Sequence, residues 1–241
     1  MKKLLLTITS SFCLALASYG FSVYSENFDS YAEGSNSGAA GYTFGKSVYA
    51  GLNSGNTVSA PIGGWYPNDP NVHPSDVVVA DGSLKTWTDF GWAPDFENNQ
   101  SQRSLYYTDI ILTQEMVDAG SFNYSLDYSI GDVHDGTSAV NGAFMKVLDV
   151  DGGWAEIAYS QVTYDVNAVG WTSASGSISL SGSGAVVGDI MQFGIFNESA
   201  NYTGNGVFTD NISVSAVPEP STYALLAGFA AFLFVAIRRR K

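Results

Sequence analysis

Phe122, Tyr124, Leu126, Tyr128 and Ile130 alternate with Asn123, Ser125, Asp127 and Ser129, the period of two that buries one face of a β-strand and leaves the other in water. Residues 21–28, 77–80, 84–88, 105–112, 143–150, 155–164, 177–180, 190–196 and 207–214 have strand character as well. They are rich in β-branched and aromatic residues and are separated by Gly, Asn, Ser and Asp, which turn the chain. Helical periodicity is nearly absent. The predicted fold class is therefore all-β, a two-sheet antiparallel β-sandwich of jelly-roll type. One helical turn is predicted over 113–119, with Thr113 as N-cap and Gly120 resetting the chain. Residues 29–76 are poor in strand signal and predict long loops around one end of the sandwich, with Tyr42, Phe44, Tyr49, Trp65 and Tyr66 available to pack.

Two apolar runs break the strand pattern. Met1-Lys2-Lys3, the apolar run 4–16 and the small-x-small triplet Ala15-Leu16-Ala17 read as a secretory signal peptide over 1–17. A lipoprotein signal at Cys13 is the weaker reading, because Phe12 stands where a small residue is needed. At the other end, 217–220 is Val-Pro-Glu-Pro, 221–237 carries no charge, and Arg238, Arg239, Arg240 and Lys241 follow. As a helix the uncharged run spans about 25 Å, the lower limit for a transmembrane helix. The four cations hold the C-terminus in the cytoplasm and leave a β-sandwich domain over 18–216 outside. The prolines keep 217–220 extended, a form that a peptidase can grip.

This order of Pro218-Glu219-Pro220, apolar run and basic stop resembles the PEP-CTERM sorting signal of Gram-negative, polysaccharide-secreting bacteria. The resemblance covers residues 217–241. It implies export by the general secretion machinery, removal of the front end by signal peptidase, anchoring in the inner membrane, and a cut near Pro218, Glu219 and Pro220 by an exosortase. The released domain would then reside at the cell surface or in the extracellular matrix. A plain C-terminal anchor is the alternative.

Charge and cysteine content narrow the chemistry. Of the 23 Asp and Glu, all but Glu219 lie in residues 18–217 and face only Lys46, Lys85, Arg103 and Lys146, a formal charge of about −18. Such a surface repels nucleic acid and suits neutral glycans and divalent cations. Cys13, the only cysteine, lies in the predicted signal peptide. The mature domain thus has no disulfide, thiolate-held zinc or thiol nucleophile.

Glu26-Asn27-Phe28-Asp29, Ala119-Gly120-Ser121-Phe122-Asn123-Tyr124 and Phe208-Thr209-Asp210-Asn211-Ile212-Ser213-Val214 loosely resemble the ends and middle of carbohydrate-binding-module-like jelly rolls. In such modules the first and last strands lie side by side, and acids near each end often hold a structural calcium. The matching positions here are Glu26, Asp29 and Asp210, whose carboxylates suit that ion; solvated strand-end acids are the equal alternative. Asp149-Val150-Asp151-Gly152-Gly153 looks like a calcium loop but is first of all a hairpin turn. Trp65, Tyr66 and Trp92, in Gly- and Pro-rich contexts, are the candidates for stacking on sugar rings. No nucleophile elbow or recognised zinc spacing accompanies His73 and His134, so no catalytic residue is assigned. The sequence therefore reads as a non-enzymatic exported protein associated with exopolysaccharide or biofilm. A secreted polysaccharide hydrolase or lyase using paired acids is the alternative.

Overall fold

A computed structural model describes residues 20–35, 41–49, 66–67, 78–88, 101–130, 139–199, 205–217, 228–230 and 237–238. Its described strands form two antiparallel sheets, as the alternation predicts. The first contains β1 (Ser22–Glu26), β4 (Val78–Ala80), β5 (Ser83–Thr88), β7 (Ser121–Ile130), β10 (Thr172–Ser179) and β12 (Asn205–Ala216). Their order is β10-β7-β12-β5-β4, and β1 also pairs with β12. The second runs β3 (Tyr66–Pro67), β2 (Thr43–Tyr49), β6 (Ser101–Ile111), β11 (Ile190–Ser199), β8 (Ala139–Asp149), β9 (Ala155–Thr163).

The inner faces make one core. β7 sends Phe122, Tyr124, Leu126 and Tyr128 inward, each at most 3% exposed, against Met191, Phe193 and Ile195 of β11 and Ala143, Met145 and Val147 of β8. Each large side chain of this kind contributes about 1.5–3 kcal/mol on burial. The helix α1 (Gln114–Ala119) connects β6 of the second sheet to β7 of the first. As predicted, Thr113 Oγ1 accepts from Met116 N–H at 3.3 Å and Gly120 closes the helix at φ 73°. Met116 and Ala119 face the core. Asp81-Gly82, both at positive φ, make the two-residue turn between β4 and β5.

Pairing β1 with β12 joins the first and last strands, with Ser22 opposite Ser215 and Glu26 opposite Ile212. Both β1 and β5 lie on the same side of β12, β5 along Asn205–Thr209 and β1 beyond it. Where one gives way to the other, β12 bulges between Asp210 and Ser213, and Asn211 takes φ 51°.

The sequence expectation needs correcting at two places, while the hairpin turn expected at Asp149–Gly153 is present. Residues 29–76 contain β2 and β3, not loops alone. Gly45 and Lys46 interrupt the β2 pattern, and its strand form rests on the ladder with β6. β10 begins at Thr172 because it pairs along β7 residue for residue, although Ser173, Ser175 and Ser177 give it little apolar signal. Asp149–Gly153 is a turn: Asp149 Oδ1 accepts Gly152 N–H at 2.6 Å and Asp149 O accepts Trp154 N–H at 2.8 Å. Among the described residues no helix is long and apolar enough to cross a membrane. The span predicted over 221–237 falls mostly outside them, with 228–230 and 237–238 helical, and the predicted signal peptide lies outside as well.

Candidate functional site: the outer face of the second sheet

Alternate residues of the second sheet point away from the core, and the ladder registers set them in rows. Arg103, Glu198 and Val140 form one row, followed by Leu105, Phe196 and Gly142, then Tyr107, Gly194 and Phe144, then Asp109, Gln192 and Lys146. β9 extends the last three rows with Thr163, Gln161 and Tyr159. Two glycines decide how the rings lie. A Cβ on Gly194 would meet the Phe144 ring and Tyr106 O, both at 2.6 Å, and one on Gly142 would meet the Phe196 ring at 2.6 Å and Val162 O closer still. Phe144 therefore lies flat across Gly194 and Phe196 across Gly142, positions that only glycine can leave open. Tyr159 stacks on Phe144, centroids 6.4 Å apart and planes at 10°.

Polar groups surround these rings. Arg103 and Glu198, 1% and 0% exposed, pair at 2.7 Å. Nε of Arg103 donates to Glu198 Oε2 at 2.7 Å, and Ser101 Oγ donates to Oε1 at 2.5 Å. The guanidinium sits 4.0 Å from the Phe196 ring centre and also donates to Gln161 Oε1 at 3.2 Å, which receives the Tyr159 hydroxyl at 2.6 Å. The fork is thus held from two sides, by Glu198 and by Gln161. Toward the other end the face opens: Tyr107, Lys146 and Tyr159 are half-buried and Asp109 is exposed. There Gln192 Nε2 donates to Asp109 Oδ1 at 2.8 Å. Burial lowers the Lys146 ammonium, against the opposing pull of Glu156 and Asp109. Desolvation around its carboxyl raises Glu156, an exposed residue overall, and Lys146 opposes that shift. Tyr107 is raised by burial and then by Asp109. Phe144 and Phe196 themselves are buried, 2% and 0% exposed, so the part open to a ligand is the end with the Tyr107 and Tyr159 rings, Lys146 and Asp109, a mix of aromatic and polar groups that matches the two kinds of surface a sugar ring presents.

A second cluster lies on the first sheet at the β12 bulge. Burial is the main cause of a raised Asp210 carboxyl; the Asn211 N–H opposes it, and Asp29, Asp127 and Glu26 add to it. Asp127 stands directly opposite Asp210, an arrangement of like charges that weakens a strand pair. The fold thus brings the three predicted calcium positions, Glu26, Asp29 and Asp210, into one neighbourhood, and adds Asp127. Glu26 is already engaged: Oε1 accepts Asn27 and Phe28 N–H at 2.9 Å each, and Oε2 accepts the Tyr31 hydroxyl at 3.1 Å. Among the described residues no group of three or more acids or histidines is spaced to hold a metal ion.

The raised carboxyl has a consequence for stability. Ionising Asp210 in the folded chain carries a cost that is absent below the unfolded carboxylate range, sets in as pH climbs to the higher folded value, and is complete above it. In chelator, Asp210→Asn is expected to unfold at a higher temperature than the natural chain near pH 7, and at the same temperature near pH 3, where Asp210 is protonated in both states. Thermal unfolding across that range measures the difference. A constant difference at every pH would contradict the charge explanation.

The predicted aromatic positions are placed less fully. Tyr66 opens β3 opposite Lys46, while Trp65 and Trp92, like His73, His134 and Pro218 to Pro220, lie outside the described residues. The face built by Arg103, Gln161, Tyr159 and Gln192 was missed from sequence. The available signal was the pair Gln192 and Glu198, polar at the same parity of a strand whose first seven residues are otherwise without polar side chains.

Comparison with known proteins gives three results. No curated protein matches the sequence. Among solved structures, an arabinose-bound α-L-arabinofuranosidase superposes with TM-score 0.44 and 9% identity, covering 82% of this chain and 27% of that one. A carbohydrate-binding module of the β-sandwich superfamily gives TM-score 0.40 and 12% identity, covering 78% and 60%. The CBM22-1 xylan-binding domain from Paenibacillus barcinonensis gives 0.39 and 14%, covering 84% and 99%. The chain thus spans about a quarter of the first of these proteins and three fifths of the second. The family model for the PEP-CTERM protein-sorting motif matches residues 216–241. The chain ends in a PEP-CTERM protein-sorting motif and is an exported protein with a C-terminal sorting tail.

Proposed function

We propose that the domain over 18–216 binds neutral polysaccharide through the outer face of the second sheet, without catalysis, after an exosortase has cut near Pro218-Glu219-Pro220 and released it to the cell surface or matrix. The signal peptide over 1–17, the membrane span over 221–237 and the cytoplasmic stop of Arg238, Arg239, Arg240 and Lys241 belong to this reading. One observation carries the glycan role: the half-buried Tyr159 ring, stacked on buried Phe144 and fixed by its hydroxyl's bond to Gln161, stands in the same region as Tyr107, Lys146 and exposed Asp109. The acidic balance of the domain favours neutral over anionic glycans. Host exopolysaccharide is the natural candidate ligand, and Trp65, Tyr66 and Trp92 are proposed to extend the contact. Glu26, Asp29 and Asp210 are further proposed to take a structural calcium once they converge. Asp29, Asp127 and Glu26 add to the burial that raises Asp210, a nearness of acids that supports this, and calcium would then reverse the effect of Asp210→Asn.

Tyr159→Ala is expected to weaken binding to a neutral polysaccharide about tenfold, the loss of roughly 1.4 kcal/mol of stacking and contact. Tyr159→Phe keeps the ring and should lose much less. Affinity electrophoresis in gels containing the glycan reads both; equal retention of all three proteins would remove this face from consideration. A second reading, a polysaccharide-active hydrolase or lyase, draws on the lowered Lys146 beside the raised Glu156. Release of reducing ends or of unsaturated sugars during the same experiment would favour it.

A further inference from the structure

The folded domain holds the chain up to Val217, the residue before Pro218. Ala216 is fully buried, and its N–H donates to Phe21 O at 2.9 Å. Val217 N–H donates to Ser121 O at 2.8 Å, and Ser121 Oγ donates to Val217 O at 2.8 Å. Gly20 packs so tightly on Ala216 O that a Cβ there would clash. Both ends of the domain therefore leave the sandwich side by side, at one end of the strands. From Val217 to Ser221, the first residue of the uncharged run, the chain can reach at most about 14 Å. A headgroup layer takes up roughly 5–8 Å of that.

At the same end three connections are tied together by Asp189, itself 2% exposed. Its carbonyl accepts Leu112 N–H at 2.8 Å, Oδ1 accepts Val150 N–H at 3.2 Å and Oδ2 accepts Val186 N–H at 2.9 Å. These connections and the strands they join carry Ile111, Trp154, Val186 and Val187, exposed by 64%, 60%, 51% and 52%. Tryptophan and aliphatic side chains are favoured at the boundary between headgroups and acyl chains. Val169, 96% exposed, lies in the connection between β9 and β10 at the opposite end. The twelve residues of β12 separate the two ends by about 35 Å.

We propose that in the membrane-held precursor the sandwich stands on the bilayer surface through Ile111, Trp154, Val186 and Val187, with its opposite end pointing away. The inference rests on reading 221–237 as a membrane span. Exposed Glu115, Asp118 and Asp151 lie at the same end, so the contact is made to a neutral surface and weakens on an anionic one at low salt.

The test uses the full chain with Cys13→Ser, reconstituted in phosphatidylcholine vesicles and carrying one environment-sensitive fluorophore on Val187→Cys or on Val169→Cys. Both positions are exposed, so neither label disturbs the core. A quencher attached to the lipid headgroup region is expected to remove several-fold more signal at 187 than at 169, with a smaller difference in phosphatidylglycerol vesicles. Flotation of the chain with the vesicles but equal quenching at the two positions would overturn the proposed stance alone. Failure to float would overturn the reading of the tail and the stance with it.

Discussion

Arg103→Met is expected to destabilise the mature chain by about 3–5 kcal/mol, because it leaves Glu198 as a buried charge without its cation. In a domain of this size that corresponds to a fall in melting temperature of roughly 10 °C. The guanidinium holds Glu198 through two contacts of 2.7 Å, lies over Phe196 at 4.0 Å and orients Gln161, so three side chains lose their arrangement together. The double variant Arg103→Met with Glu198→Leu should recover most of the loss, since a buried pair replaced by apolar groups of similar size is often neutral. Urea unfolding of the two single variants and the double variant measures the coupling. A loss below about 1 kcal/mol for Arg103→Met would mean that water reaches the pair and that the ring-and-fork arrangement is not fixed.

Replacing Pro218, Glu219 and Pro220 together by Ala is expected to leave export intact and abolish removal of the tail. Full-length protein should then accumulate in the membrane fraction, whereas the natural sequence is expected to yield released domain. The effect is expected to be close to all-or-none because, in the proposed reading, the motif within the 216–241 match is the element the peptidase grips. Immunoblots of membrane and medium fractions read the outcome. Unchanged release would show that the cut is directed by some other feature.

Strand alternation made the fold class legible because β7 has one wet face and one dry face, and Phe122 to Ile130 record it directly. The helical turn was legible too, since Thr113 and Gly120 are caps of a standard kind. β2 and most of β10 were not. Gly45 and Lys46, and the small residues Ser173 to Ser177, carry little apolar weight, and the ladder partners far along the chain make them strands. The candidate face was hidden for a related reason. Arg103 and Glu198 are 95 residues apart and become neighbours only through the β6–β11 register. Asn197-Glu198-Ser199 even fits a glycosylation pattern, yet all three residues are buried. Glu26, Asp29 and Asp210 were singled out by the resemblance to carbohydrate-binding-module-like jelly rolls, and the pairing of β1 with β12 brings the two ends of the chain together. Asp127 joins them from the middle of the chain, which no reading of the ends could supply.

The most direct measurement is binding of the domain without signal peptide and tail to a panel of neutral and anionic polysaccharides, including the host's own exopolysaccharide, with and without calcium and with sugar release followed throughout. The expected result is retention on one or more neutral glycans, weakened by Tyr159→Ala, with no release of sugar. Retention on none of them, or release of sugar, would contradict a non-catalytic glycan-binding domain.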